Sequence, residues 1–190
     1  MARWEPDSRG RLQQAAYELY AERGFENTTV AEIAARAGLT ERTFFRHFAD
    51  KREVLFAGSA ALEEALVRAI AEAPASAAPL EAVGAALEAA GEVLPKRPAT
   101  ARRRQALIAA NAELQERELI KMASLSAAMA GALRGRGLTD QAASLTAEIG
   151  IAVFRVAFER WLEETNERPL AELVDEALAE LSALAGTRST

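Results

Sequence analysis

The sequence predicts an all-α protein. Alanine supplies 45 of the 190 residues, mixed with Leu, Glu and Arg, which are also strong helix formers. Apolar residues recur at three- and four-residue spacings along most of the chain, and no segment alternates apolar with polar as a half-buried strand would. Only eleven Gly and six Pro punctuate it. The expectation is about nine helices: an N-terminal three-helix unit holding a helix–turn–helix, followed by a C-terminal helical domain.

The first helix is expected over residues 8–23, where Leu12, Ala15, Ala16, Leu19 and Tyr20 share one stripe and Gly24 follows as the stop. Thr29-x-x-Glu32 is a capping box that opens a second helix, ending at Gly38. Thr40 caps a third that closes near Phe48, with Leu39 and Phe44 placed as a hydrophobic staple. Asp50-x-x-Glu53 reads as another capping box, opening a long helix to about Ala73. Pro74 and Pro79 bracket a break, a helix over 80–94 follows, and Pro95 and Pro98 interrupt the chain again. Residues 99–134 read as helix throughout, kinked or split near 115–118. Gly135-Arg136-Gly137 is a turn, a long helix covers 140–164, and Pro169 starts the last one, which ends near Gly186.

Composition closes several function classes. The chain has no Cys, hence no disulfide, no Cys-ligated metal centre and no Cys nucleophile. Its single His rules out a His-pair metal site within one chain. No uninterrupted apolar run approaches the roughly 18 residues of a membrane span. The polar N-terminus lacks the apolar centre of a signal peptide, so a cytoplasmic location is expected. There is no Gly-x-Ser-x-Gly and no phosphate loop, and neighbouring carboxylates such as Glu63-Glu64 point apart on a helix. The expectation is a protein that is not an enzyme and holds neither metal nor cofactor.

Residues 29–48 carry the informative pattern. A short helix, a Gly-containing turn and a second short helix make a helix–turn–helix when apolar residues lock the pair, and Ile33, Ala34, Ala37, Leu39, Phe44 and Phe48 supply such a lock. The second helix then exposes Glu41, Arg42, Thr43, Arg46 and His47, donors and acceptors suited to base edges and phosphates. The net charge of −5 lies outside this region: residues 1–56 hold nine basic and nine acidic side chains, the remainder 14 against 19. Between residues 40 and 52, Arg42, Arg46, Lys51 and Arg52 outnumber Glu41 and Asp50, with His47 in addition. An acidic protein with one locally basic end suits a partner touched at that end. On spacing alone, a plain three-helix bundle stays open beside this reading.

The run Gly24 to Thr40 (GFENTTVAEIAARAGLT), then Thr43-Phe44-Phe45-Arg46-His47-Phe48 and Asp50-Lys51, resembles the DNA-binding domain of the TetR family of repressors. The likeness extends over residues 12–55 and includes Tyr17-Glu18-Leu19-Tyr20 and Gly24-Phe25. It implies a DNA-binding domain over 1–50 and a ligand-binding and dimerisation domain over 51–190. It places Thr28 and Thr29 on a phosphate at the start of the second helix. Thr40, Glu41, Arg42 and Thr43 would lie in the major groove, Arg42 bidentate on guanine, with Arg46, His47 and Lys51 on phosphates. The family commonly has Tyr where Phe45 stands, its hydroxyl on a phosphate; Phe45 lacks that hydroxyl and is expected on a sugar or a thymine methyl. Arg3, Arg9 and Arg11 are expected to act as an N-terminal arm. The implied partners are a palindromic double-stranded DNA operator, a second copy of the chain and a small effector that releases the DNA; no membrane is involved. A helical protein-interaction module without DNA binding is the alternative, kept open by Phe45 and by the neutral charge of residues 1–56.

In the C-terminal half, Leu145, Ile149, Ala152, Val153 and Val156 make one stripe of the long helix and Ile151, Phe154, Phe158, Trp161 and Leu162 another. A helix apolar on two sides is covered on both. The last helix carries Leu170, Leu173, Val174, Ala177, Leu178, Leu181 and Leu184. The resemblance implies that helices 140–164 and 169–186 pair with their copies in a four-helix bundle; an intrachain core is the alternative. Expected walls of an effector cavity are Phe56, Leu107, Ile108, Asn111, Leu114, Met122, Met129, Phe154, Phe158 and Trp161, with plain core as the other reading of each. Arg102-Arg103-Arg104 is either a solvated face or a seat for an anionic group. Together with Glu113-Leu114-Gln115-Glu116-Arg117 it resembles an actinobacterial branch of the same family, some of whose members sense acyl-CoA thioesters. The effector is accordingly expected to be an acyl-CoA or another apolar ligand.

Overall fold

A computed structural model describes residues 7–94, 98–163 and 165–186; Arg3, Pro95, Glu164 and the tail at 187–190 lie outside them. Among the described residues there are nine α-helices, one 3-10 turn and no strand. The helices are α1 (Ser8–Arg23), α2 (Val30–Arg36), α3 (Glu41–His47), α4 (Ser59–Glu72), α5 (Pro79–Val93), α6 (Pro98–Ala109), α7 (Ala112–Gly135), α8 (Asp140–Trp161) and α9 (Leu170–Gly186). They fall into two compact units, one of Met1–Ala57 with Arg104–Glu118, the other of Gly58–Arg103 with Leu119–Thr190.

In the first unit, each short helix starts on a side-chain cap. Asp7 accepts from the Gly10 N–H at 2.8 Å at the head of α1. The Thr29–Glu32 box forms in both directions: Thr29 Oγ1 accepts from the Glu32 N–H at 3.3 Å, and Glu32 Oε2 accepts from the Thr29 N–H at 2.9 Å. That backbone N–H, first among the causes, holds the Glu32 carboxyl below its usual range. The chain reverses at Gly38, whose φ of +67° is ready for glycine and strained for other residues. Thr40 Oγ1 then accepts from the Thr43 N–H at 3.2 Å and opens α3. Beneath these helices Leu12, Leu19, Tyr20, Phe25, Ile33, Ala34, Phe44 and Phe48 form one apolar cluster, with Leu39 packed on its margin as the staple requires.

Two expected helices are interrupted. The segment 50–73 is not one helix. Asp50 Oδ1 accepts from the N–H groups of Arg52 and Glu53 at 2.8 and 3.1 Å, but the chain then makes a 3-10 turn, Glu53–Phe56, and α4 begins only at Ser59. The cause is the triplet Val54-Leu55-Phe56, at most 4% exposed at every position. Three successive buried side chains cannot lie on the single stripe of an α-helix against one core. The segment 99–134 does split, at residues 110–111 rather than near 115–118. The Asn111 side-chain amide donates to the Leu107 carbonyl at 2.7 Å, while its own carbonyl accepts from Leu114 and Gln115. Asparagine offers the backbone an alternative to the helical ladder here. The corner carries Ile108 and Leu114, 1% and 0% exposed, into the core of the first unit.

The second unit is built on α4, α5, α8 and α9 with most of α7. Its core includes Ile70, Val83, Leu87, Met129, Leu133, Ala147 and Val174. The Arg136 guanidinium donates to the carbonyls of Ile70, Ala73 and Pro74 at 3.1, 2.7 and 2.7 Å. It thereby satisfies the last acceptors of α4 and complements that helix end electrostatically. Gly150 leaves no room for a side chain: a Cβ there would stand 2.6 Å from Val83 Cγ1 and 2.9 Å from Met129 Cε. By length and composition α8 could cross a membrane, a test that a helix of a protein core also passes. Here Ala143, Ala147, Val153 and Ala157 are packed in the unit's core. On the outer side of α8, Leu145 and Val156 are 61% and 46% exposed, and Leu184 on α9 is 66% exposed. Val153, which shares its predicted stripe with Leu145 and Val156, is 6% exposed and lies in the core.

Candidate functional site

α3 is a short helix carried on one ring. Phe44 is fully buried and meets the rings of Phe45 and Phe48, both at 5.5 Å between centroids. With that side pinned, Thr40, Glu41, Arg42, Phe45 and Arg46 are exposed, and Thr43 and His47 are half-buried. Arg42 has no hydrogen bond or ion pair to any described residue. Arg46 Nη2 lies 3.5 Å from His47 Nε2. Among the DNA-contact candidates, the structure gathers these seven on or at the head of one helix.

The other three candidates have different surroundings. Thr29 is exposed and its hydroxyl belongs to the α2 cap. Thr28 is 1% exposed, and its hydroxyl donates to the Gly24 carbonyl at 2.9 Å. Lys51 Nζ donates to the carbonyls of Phe25, Thr28 and Glu26 at 2.9, 3.0 and 3.3 Å and lies 4.4 Å above the Phe25 ring. An ammonium has three donors, so this geometry makes Lys51 a tie that fixes the loop before α2. The Tyr20 hydroxyl reinforces it by donating to the Lys51 carbonyl at 2.6 Å, and burial pushes that phenol well above its ordinary pKa. Lys51→Ala should destabilise the first unit by about 1.5–3 kcal/mol, the scale of hydrogen bonds to a charged group. Urea unfolding measures this; unchanged stability would reject the tie.

Arginines expected to reach outward are held by their own chain. Arg9 donates to the Ala57 carbonyl at 2.6 Å, with its guanidinium 5.6 Å from the Phe48 ring centre, and Arg11 donates to the Ala37 carbonyl. Of Arg102-Arg103-Arg104, Arg103 is exposed. Arg104 donates to the Leu55 carbonyl at 2.8 Å, pairs with Glu118 at 3.2 Å and covers the Phe56 ring at 4.9 Å. Arg117 likewise donates to Glu53 at 2.6 Å. The carbonyls of Ala57, Ala37 and Leu55 leave no mark in a sequence, so those partners were not legible there.

The expected cavity walls are divided between the units. Phe56, Ile108 and Leu114 are buried in the first unit, with Leu107 packed against its core and Asn111 bonded to Leu107. Met122, Met129, Phe154, Phe158 and Trp161 belong to the second. There Phe154 and Phe158 stack at 5.5 Å, and Trp161 follows at 5.6 Å from Phe158. A cavity of about 10 Å³ lies among Leu62, Leu66, Leu87, Ala90, Leu125, Ile151 and Phe154. Most of these were missed in the sequence, because a wall and a core position look alike at helical spacing.

Residues 12–57 match the family model described as bacterial regulatory proteins, tetR family, and residues 77–185 match the MftR C-terminal domain. The chain belongs to the tetR family. Its homologues are transcriptional regulators, not enzymes. Among curated relatives, the HTH-type regulator TcmR of Streptomyces glaucescens is 42% identical over 82 residues, 43% of this chain and 36% of that protein. The repressor KstR2 of Mycobacterium tuberculosis is 43% identical over 47 residues, 25% of this chain and 24% of its own. The matches thus span about a third or less of those proteins' lengths. Among solved structures, FadR of Bacillus subtilis in complex with stearoyl-CoA superposes with a TM-score of 0.60 at 19% identity, covering 90% of this chain and 96% of that one. The SmeT–triclosan complex superposes with a TM-score of 0.62 at 21% identity, covering 91% and 90%; SmeT is the repressor of a Stenotrophomonas maltophilia efflux pump. At these identities the likeness is one of fold. Phe45, noted in the sequence for its missing hydroxyl, is exposed.

Proposed function

We propose that this tetR-family protein is a cytoplasmic, homodimeric regulator that represses from a palindromic double-stranded DNA operator and is released by a small, largely apolar effector. The observation that carries the reading is the outward face of α3: Arg42, with no partner among the described residues, beside Thr40, Glu41 and Arg46 on a helix pinned by Phe44. Thr40, Glu41, Arg42 and Thr43 meet base edges in the major groove, and Thr29, Arg46 and His47 take phosphates. Thr28 and Lys51 serve indirectly by fixing the loop that leads into α2.

Leu145 and Val156 of α8, together with Leu184 of α9, supply the apolar surface for a second copy. A two-fold pair sets two recognition helices about 34–36 Å apart, one turn of duplex. The ligands named in the FadR and SmeT complexes support an apolar effector, and the acyl-CoA resemblance points the same way. A space of about 10 Å³ is far below the 300–1,000 Å³ of a typical ligand pocket. The effector therefore stabilises an opened form of the core between α4, α5, α7 and α8 and shifts the population away from the DNA-competent one.

The test is selection of duplexes from genomic DNA followed by titration at several salt concentrations. A palindromic site whose affinity falls steeply with salt is expected, through release of counterions. Binding that is absent, or indifferent to salt, would reject the proposal. Arg42→Ala should lose about 1–3 kcal/mol of discrimination at one base pair per half-site, while Arg46→Ala weakens all sequences alike and reduces the salt slope by about one per subunit. Competition with single-base operator variants separates the two.

A further inference from the structure

We propose that Phe45 reads the C5 methyl group of one thymine in each operator half-site. The inference rests on the reading of α3 as the DNA-contacting helix and adds to it a methyl-dependent preference.

Phe45 is 55% exposed, and it is the one Phe, Tyr or Trp ring left largely in water among the described residues. Its position is set from beneath. The ring stands edge-on to Phe44 at 5.5 Å and 82°, and Phe44 is itself fully buried, so the exposed ring is presented by the core rather than by a loose side chain. It shares its face with Glu41 and Arg42, four and three residues earlier.

A phenyl ring has no donor and no acceptor, which leaves phosphates and polar base edges without a reason to select it. On the major-groove floor the apolar feature is the thymine methyl. Three residues along a helix is about 4.5 Å, close to one base step of about 3.4 Å. The thymine is therefore expected next to, or two steps from, the base pair that Arg42 reads. The remaining apolar surface of DNA is the sugar, and packing there would be blind to the base.

The experiment uses the full chain and its selected operator, with each thymine replaced singly by deoxyuridine, which removes only the methyl. One thymine per half-site should lose about fourfold in affinity, the worth of one buried methylene-sized group. If that T·A pair is changed to C·G, methylating the cytosine at C5 should recover a similar factor. Phe45→Ala should bind with no penalty for uracil at that position, and Phe45→Leu should keep part of it. Thermal melts of both variants should match the parent, since the ring lies outside the core. Three outcomes overturn the proposal. Uracil costs nothing at any position, as sugar packing predicts; Phe45→Ala shows the same uracil penalty as the parent; or the chain binds no duplex at all. Only the last also removes the reading of α3 beneath it.

Discussion

Phe44→Ala is expected to cost the first unit about 3–5 kcal/mol, the usual penalty for truncating a fully buried phenylalanine. Phe44 is 0% exposed, touches the rings of Phe45 and Phe48, and lies in the cluster that Leu39 borders. Without it α3, only seven residues long, keeps its Thr40 cap and little else, and so short a helix does not persist on local bonds. Set against a typical stability of about 5–15 kcal/mol, the loss takes about a fifth of the margin or more. Amide hydrogen exchange reads it directly: protection in α2 and α3 should collapse, and DNA affinity with it, while Phe45→Ala leaves protection intact. A Phe44→Ala variant within about 1 kcal/mol of the parent would mean that the ring is not what holds α3.

Gly150→Leu should destabilise the second unit by about 3 kcal/mol, the upper part of the range for overpacking. Even the Cβ would meet Val83 Cγ1 at 2.6 Å and Met129 Cε at 2.9 Å. Met129 ends in a flexible thioether and can yield; Val83 is stiff at χ1 and cannot turn aside easily. Leaving glycine gains about 1 kcal/mol of helix propensity, which is too little to offset the clash. Because the obstacle is one side chain, Val83→Ala in the same molecule should recover about 1–2 kcal/mol, a coupling of the size seen between residues in contact. Trp161, packed in the same core, reports unfolding by fluorescence. Additive effects of the two substitutions would count against this account of the helix contact.

Much of the fold was legible because its signals are local. Thr29, Glu32, Gly38 and Thr40 act within four residues of their partners, and the structure bears out each: the box forms, the turn takes a positive φ, and the cap bonds to the Thr43 N–H. The stripe of α1 needed only periodicity. The misplaced boundaries depended on distant partners. Nothing near Val54-Leu55-Phe56 announces that all three side chains face one core, and the break at Asn111 follows from a corner that sends Ile108 and Leu114 into the first unit. The same limit governs the site. The outward side chains of α3 followed from the Phe44 stripe. The internal bonds of Lys51, Arg9 and Arg104 end on carbonyls of residues 23 to 49 positions away, where residue type carries no information.

The corner formed by residues 104–118 has a practical meaning for protein engineering. A gene fragment ending at Ala57 would omit Ile108, Leu114, Arg104 and Arg117, leaving hydrocarbon of the N-terminal core uncovered and removing the guanidinium that Arg117 places on Glu53. Exchanging the N-terminal unit between homologues therefore calls for a discontinuous graft, two stretches transplanted together, and a chimera joined at a single seam after Ala57 should express poorly or aggregate.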